Sequence, residues 1–187
     1  KSLCCQPSTW GRGPETEMAQ LAHATTDAAG ARAHDPAPSL LATAWSLKDR
    51  CVAAWNSEPA QATQAARELA LLMDQTCAQP LSDADTLELH ALVDWAQGLA
   101  CMVEGHLASG ALPAFDRAAA AFTRLGQTDH AAQTLVPKVA VLAMLGRYDD
   151  AIACGELAHR QFAASGNALG AAKVSLNLGV LNERRGG

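Results

Sequence analysis

The stretch from Phe122 to Gly187, FTRLGQTDHAAQTLVPKVAVLAMLGRYDDAIACGELAHRQFAASGNALGAAKVSLNLGVLNERRGG, contains one pattern twice. One constant shift along the chain superimposes the first copy on the second in the pairs Phe122 and Phe162, Gly126 and Gly166, Ala131 and Ala171, Ala132 and Ala172, and Gly146 and Gly186. The glycines fall where helices should end, and the small residues fall where helices should touch. The shift is the distance from Phe122 to Phe162. A repeat of about 40 residues with two helical segments is typical of a helical solenoid.

The same pattern extends one repeat towards the N-terminus. Gly105 precedes Gly146 by the same shift and one further residue. With one extra residue after Gly105, residues 105–122 overlay residues 146–162. The repeat therefore covers roughly residues 83–187.

Composition favours a fold built only from helices. Apolar residues make up 49% of the 187 residues, but aromatic residues make up only 4%, and alanine is the commonest residue. Alanine has the best helix propensity, and small side chains allow helices to approach closely. We therefore expect an all-α fold of antiparallel helix hairpins, with a core of the size one domain can bury.

Charge and hydropathy exclude two classes of partner. The net charge is −5, and the longest basic cluster is the pair Arg184-Arg185. Binding to phosphate backbones needs a concentrated positive surface, so nucleic acid is not an expected partner. The most apolar stretch, Leu135–Leu145, is shorter than the ~18–20 residues that span a bilayer, so we expect no membrane contact. We expect a cytoplasmic protein.

The ends of the chain and its cysteines bear on its origin. The first residue is lysine, and the last predicted helix has no partner after it, which suggests a fragment of a longer protein. None of the six cysteines forms a C-x-x-C pair, and Cys51, Cys77, Cys101 and Cys154 lie within helical patterns. Buried, reduced thiols are expected there.

Turn and capping signals place the helices. Residues 1–38 are rich in proline and glycine, so we expect an irregular N-terminal segment with room for one helix. The hairpins should cover about 39–78, 83–125 and 128–165, followed by a half repeat over 168–187. Ser39 and Thr128 are candidate N-caps, and Ser82 with Asp85 resembles a capping box.

Two helical stripes define the expected core. One runs along the first helix through Leu40, Ala44, Leu47, Cys51 and Trp55, and the other runs along the third helix through Leu92, Trp95, Leu99 and Met102. Pro137 opposes the fifth helix, because an interior proline costs ~3 kcal/mol in an isolated helix. The repeat nevertheless requires a helix there, so we predict a kink near Gln133–Pro137.

The segment Leu145–Ala153 resembles the turn and second helix of a tetratricopeptide (TPR) repeat. The matching positions are Gly146, Tyr148, Ala151-Ile152 and Ala158. The resemblance implies a right-handed superhelix whose first helices line a concave groove that binds peptides. The chain departs from the family in its longer period, in Val139 where the next repeat has Gly179, and in Phe115 where the next repeat has Gly155. The long helices also resemble the TPR arms that precede CHAT (caspase-like) protease domains in bacteria.

Catalytic and metal-binding patterns are weak. His90 and Cys101 fall on nearly the same helix face but ~16 Å apart, whereas proton transfer needs ~3 Å. The six histidines show neither H-x-x-x-H nor H-E-x-x-H spacing, and no glycine-rich phosphate loop occurs. We expect no catalytic residues, no metal and no cofactor.

The TPR resemblance implies a set of partner-binding residues on the first helices. Lys173, Asn177 and Arg184 would face the groove from the last helix, and Gln133 would face it from the equivalent helix before. A solvated helix face, or one covered by a further repeat, is the alternative for this stripe. Trp95 could be a groove aromatic, and core packing is its alternative.

These observations predict a non-catalytic protein–protein interaction module that binds a peptide or partner domain on its concave face. It could serve as the regulatory arm of a longer CHAT-protease-type protein. A self-associating scaffold, docked through the unpaired last helix, is one alternative. A hydrolase that uses one of the cysteines is another.

Overall fold

The computed structural model describes residues 39–74 and 81–186. Over these ranges the chain forms seven α-helices and one π-helical turn, and no strand. The helices are α1 (Leu40–Ala54), α2 (Pro59–Asp74), α3 (Asp83–Val103), α4 (Leu112–Arg124), α5 (Thr128–Met144), α6 (Tyr148–Ala164) and α7 (Ala168–Gly186). The all-α prediction is confirmed for these residues. The predicted N-terminal segment 1–38 and the end of the predicted hairpin 39–78 lie outside them.

Serine side chains begin two of the helices as the sequence indicated. Ser39 Oγ accepts a hydrogen bond of 3.2 Å from the backbone N–H three residues later and caps α1. Ser82 Oγ accepts from the Asp85 N–H at 3.1 Å and donates to the Asp85 carboxylate at 2.8 Å. The Thr128 cap was wrong, because Thr128 is the first helical residue of α5 and no side chain caps that helix.

Glycines end four of the helices. Gly105, Gly126, Gly146 and Gly166 all have positive φ, between 71° and 83°. Each follows a helix and closes it in the same way: the glycine N–H bonds back three residues and the next N–H bonds back five. This pair of hydrogen bonds is the Schellman motif. Only a residue that tolerates the left-handed conformation can close it without strain. The helix ends predicted from the repeat are confirmed at these glycines.

A π-helical turn explains the extra residue in the first repeat. It covers Leu107–Ala111, and the Ala111 N–H bonds to the His106 carbonyl five residues back. A π-turn holds one more residue than an α-turn over the same path. Residues 105–122 therefore need one residue more than 146–162 to connect the same two positions.

Consecutive helices run antiparallel, as their contacts show. Between α3 and α4 the side chains of Asp94 and Arg117 bond at 2.6 Å, and Gly98 lies against Phe115 further along. Between α6 and α7, Phe162 lies against Gly170, and Arg185 donates to Asp149 at 3.2 Å. In both pairs, later residues of one helix meet earlier residues of the other.

The odd-numbered helices also contact one another. Trp45 on α1 bonds to Glu88 on α3, and Asp129 on α5 bonds to Asn167 at the start of α7. The α3 helix also contacts α5 directly. Each of these helices therefore contacts its counterpart in the next repeat as well as its own hairpin partner.

The core divides into a large and a small cluster. The large one spans α1 to α7 and includes the predicted stripe Leu92, Trp95, Leu99 and Met102, all buried. The small one joins α5, α6 and α7 through Ala132, Leu135, Ala158, Phe162 and Val174. The α5 helix continues through Pro137 as predicted, and the kink stays a prediction.

Candidate functional site

A buried lysine lies between two tryptophans where α1 meets α3. The Lys48 side chain is 6% exposed, and its Nζ lies 4.7 Å from the Trp45 ring centroid and 4.5 Å from that of Trp95. Its carboxylate partner is Asp49, at 2.5 Å. An ammonium over desolvated indole rings gains about 2 kcal/mol from cation–π attraction. The two rings and one carboxylate thus compensate a charge that burial would otherwise destabilise.

Aromatic rings continue from this lysine onto α4 and α5. The His130 ring lies 4.5 Å from the Trp45 ring and 5.4 Å from the Phe122 ring, and Trp95 meets Phe122 edge-on at 5.9 Å. Lys48, Trp45, Trp95, Phe122 and His130 form what we call the aromatic–lysine cluster. Helices from two repeats and from the first hairpin contribute to it.

Hydrogen bonds fix the polar edge of this cluster. Glu88 accepts from Trp45 Nε1 at 2.7 Å and from Gln127 Nε2 at 3.0 Å. The Gln127 amide oxygen lies 2.9 Å from His130 Nδ1. An amide oxygen can only accept, so Nδ1 carries the proton of the neutral imidazole.

Burial lowers the pKa of His130, and the nearby Lys48 lowers it further. The carboxylates of Asp129, Glu88 and Asp49 act in the opposite direction but do not cancel the shift. His130 is therefore held neutral at a pH where an exposed histidine begins to take up a proton.

Sequence reasoning missed this cluster. Among the residues of the cluster, it considered only Trp95 as a candidate site residue. The available signal was Lys48 itself, because it falls between Ala44 and Cys51 on the buried stripe of α1. A lysine on an apolar stripe predicts a buried partner on another helix.

The predicted partner-binding residues lie on an accessible stripe of α5 and α7. Lys173 and Arg184 are exposed, and Gln133 and Asn177 are half-buried. Gln133 Nε2 donates to Asp129 at 2.6 Å. Lys173, Asn177 and Arg184 share one face of α7, and Gln133 occupies the matching position on α5. We call these four residues the polar stripe.

Trp95 does not belong to that stripe. It is 3% exposed and lies inside the aromatic–lysine cluster. Its indole N–H is buried and has no acceptor among the described residues. Burial agrees with the core alternative for Trp95, and the residue offers no surface to a partner in this conformation.

Asp129 ties the start of α5 to the turn between α6 and α7. Its carboxylate accepts from Asn167 at 2.8 Å and from Ser165 at 3.1 Å, in addition to Gln133. Burial alone would raise the pKa of Asp129, but these hydrogen bonds lower it below its usual value. The carboxylate also lines a shallow open cleft of about 400 Å³ between the two turns. Both carboxylate oxygens of Asp129 accept hydrogen bonds from residues of this chain, which indicates a structural role.

Two of the described cysteines, Cys51 and Cys154, are poor nucleophiles in these surroundings. Cys51, Cys101 and Cys154 are free thiols. Burial raises the pKa of Cys51 and of Cys154 to about 11 in each case. Cys51 Sγ donates to the Ala62 carbonyl at 3.0 Å, and Cys101 is 8% exposed. The thiolate is the reactive form, and at neutral pH it is scarce at a pKa of 11.

Two further kinds of site find no support in the described part of the chain. Within residues 39–74 and 81–186, no three His, Cys, Asp or Glu side chains come together in a way that could hold a metal ion. None of the helices described there is both long and apolar enough to cross a membrane.

Comparisons with protein-family models, with curated proteins and with solved structures gave no match. The likeness to TPR repeats therefore rests on the residues of this chain alone.

Proposed function

We propose that this chain is a non-catalytic protein–protein interaction module that binds a peptide or partner domain along the face of its odd-numbered helices. The observation that carries the proposal is that α1 contacts α3, α3 contacts α5, and α5 contacts α7. Helices stacked in this way present an extended surface, which suits the recognition of a chain segment better than the enclosure of a small substrate.

The polar stripe is the part of this surface to which we assign binding. Lys173 and Arg184 supply cations, and Asn177 supplies an amide that can bond to a peptide backbone. The arrangement we propose is a TPR-like solenoid with a right-handed superhelix. By the same resemblance, the chain would act as the regulatory arm of a CHAT-protease-type protein. Three free thiols favour action in the cytoplasm.

The cysteine-hydrolase alternative is weaker on physical grounds. It requires a thiol with a depressed pKa in a cleft, and burial shifts the pKa values of Cys51 and Cys154 in the opposite direction. Labelling of the folded chain with iodoacetamide at pH 7 would revive this alternative if one of these thiols reacted much faster than a free cysteine.

The test is a peptide selection on the immobilised chain, followed by affinity measurements with two variants. Lys173→Ala/Asn177→Ala/Arg184→Ala removes two cations and one amide from α7. The matched control, Arg67→Ala/Gln64→Ala/Arg160→Ala, removes the same groups from exposed positions on α2 and α6. Selected peptides should bind the control normally and the stripe variant at least tenfold more weakly. Equal binding to both variants would refute the assignment of the polar stripe.

A further inference from the structure

A closed network of four side chains connects α1 to α5. Trp45 Nε1 on α1 donates to one carboxylate oxygen of Glu88 on α3, and Gln127 Nε2 donates to the other. His130 Nδ1 on α5 donates to the amide oxygen of Gln127, and the ring centroids of His130 and Trp45 are 4.5 Å apart. We call these four residues the Trp45–His130 network. Its two end members are connected twice, once through hydrogen bonds and once through direct ring contact.

A buried cation lies on the same indole ring as His130. Lys48 Nζ is 4.7 Å from the Trp45 ring centroid, and the Lys48 side chain is 6% exposed. A protonated His130 would place a second positive charge close to Lys48, where burial reduces the screening by water. The attraction of the indole for a cation would then be shared between two groups that repel each other.

Three carboxylates also face His130. Asp49 lies on α1, Glu88 on α3, and Asp129 on α5 itself. All three already have partners, since Asp49 pairs with Lys48, and Glu88 and Asp129 accept hydrogen bonds from other residues. The carboxylates oppose the effects of burial and of Lys48 but do not cancel them, so the pKa of His130 stays below its ordinary value.

The corresponding contacts one repeat later depend on a carboxylate and not on a histidine. Asp129 occupies the place of Glu88, Asn167 occupies the place of Gln127, and Asn167 donates to Asp129 at 2.8 Å. Burial raises the pKa of Asp129 and its hydrogen bonds lower it, with a net shift downwards. The contribution of Asp129 is therefore complete above about pH 4 and is lost only as the pH falls further. Mild acid should act on the first set of contacts and not on the second.

We propose that His130 acts as an acid-sensitive switch for the first helix, and that its protonation loosens α1 from α3 and α5 while α6 and α7 stay packed. The neutral imidazole fits the network, because it donates one hydrogen bond to Gln127 and places no charge beside Lys48. A proton on the second ring nitrogen adds that charge. Separation of α1 from His130 relieves the repulsion, because Lys48 moves away with α1. The switch goes beyond the function proposed above and stands without it.

Amide protection of α1 reports this loosening. The helix has 15 residues, and helices of that length are marginally stable in water without tertiary contacts. Once loosened, α1 should therefore expose its amides to exchange. Hydrogen exchange of the full-length chain, measured by mass spectrometry at pH 7.5 and 5.5, gives the protection of each helix after correction for the intrinsic pH dependence of exchange. Protection in α1 should fall at least threefold at pH 5.5.

The opening of α1 should be local. A local opening exposes less surface than global unfolding, so exchange in α1 should depend more weakly on low concentrations of urea than exchange in α6. Equal urea dependence of the two helices at pH 5.5 would overturn the proposal, because the proton would then act on the fold as a whole.

Three variants assign the response to His130. His130→Gln removes the titratable group and should abolish the acid-induced loss of protection in α1. Lys48→Met removes the neighbouring cation and should reduce the loss without abolishing it, because burial still disfavours the charged imidazole. The matched control, His159→Gln, replaces a half-buried histidine on α6 and should behave like the unmodified chain.

Two further results would contradict the switch. One is an α1 that keeps its full protection at pH 5.5. The other is a loss of protection in His130→Gln as large as in the unmodified chain, because another group would then bind the proton.

Discussion

The hairpins α3/α4 and α5/α6 occupy equivalent places in the repeat but distribute their side-chain volume in opposite ways. In the first, glycine on the odd-numbered helix faces phenylalanine, through Gly98 and Phe115. In the second, the glycine is on the even-numbered helix. A Cβ added at Gly155 would lie 3.7 Å from Val139 Cγ2 on α5 and only 2.7 Å from Leu178 Cδ2 on α7. Either arrangement fills the space between two helices, because close packing depends on the sum of the facing volumes.

A second exchange occurs where one repeat meets the next. Phe122 is covered by the His130 ring at 5.4 Å. At the equivalent position one repeat later, Phe162 is covered by Gly170, where an added Cβ would lie 2.7 Å from the ring. The first junction is therefore formed by two aromatic rings, one of which, His130, can take up a proton. The second depends on the close approach of the Gly170 backbone to the Phe162 ring. A residue that breaks the repeat is therefore accompanied by a change in the residue that contacts it, and the two changes explain each other.

The largest effect should follow from removing the Phe115 side chain between α3 and α4. Phe115 is fully buried, and Phe115→Ala should lower the free energy of unfolding by about 3–5 kcal/mol. Urea denaturation would measure it. In a Gly98→Ala background the same change should cost less, because the added methyl enters the space that the ring vacates. Strictly additive effects would contradict the paired packing.

A smaller loss of stability is expected from adding a side chain at Gly155 on α6. A Cβ at Gly155 would lie 2.7 Å from Leu178 Cδ2, and overpacking of this kind costs about 1–3 kcal/mol. Gly155→Ala should fall near the lower end, because the clash is with the tip of a flexible side chain. The cost should shrink further in a Leu178→Ala background. An unchanged cost there would place the strain elsewhere.

Gly179 provides the matched contrast on α7. Nothing lies within 4 Å of an added Cβ, and alanine is favoured over glycine in a helix by about 0.8–1.0 kcal/mol. Gly179→Ala should therefore raise the free energy of unfolding where Gly155→Ala lowers it. Thermal and urea unfolding of the two variants would test this opposition in sign. A loss of stability in Gly179→Ala would show that its surroundings are filled.

The most modest effect concerns pH and separates the two junctions. Burial and Lys48 lower the pKa of folded His130, so the unfolded chain, with a histidine pKa near 6.5, takes up a proton first on acidification. The His130 contribution is complete above about pH 6.5 and is lost as the pH falls towards the lowered pKa of the folded state. Urea midpoints at pH 7.5 and 5.5 should differ less in His130→Gln. The same pH dependence in both chains would exclude His130 as the cause.

Much of the local structure could be read from single residues. Glycines at a fixed spacing predicted helix ends, because the left-handed conformation that closes a Schellman motif favours glycine. Ser39 and Ser82 predicted helix starts, because a hydroxyl satisfies an otherwise unpaired N–H. The Thr128 cap failed by one residue, because the chain enters α5 at Gln127 with no side-chain cap.

Candidate sites were harder to read than helices. The polar stripe could be placed because residues four and seven apart share a helix face. The aromatic–lysine cluster could not, because Trp45, Glu88 and His130 belong to three different hairpins. Their contacts depend on how one hairpin packs against the next. Helical periodicity within one helix does not predict that packing.

The sequence by itself determined that the described part of this chain is helical, where most of its helices end, and which face of each is apolar. These properties depend on backbone conformation and on the helical period, both of which are local. Only the tertiary structure decided that Lys48 is buried between two indoles, that Phe115 requires Gly98, and that Leu178 on α7 lies against Gly155 on α6. Each of these depends on which side chain arrives from another helix, because volume and charge are balanced between partners and not within one segment.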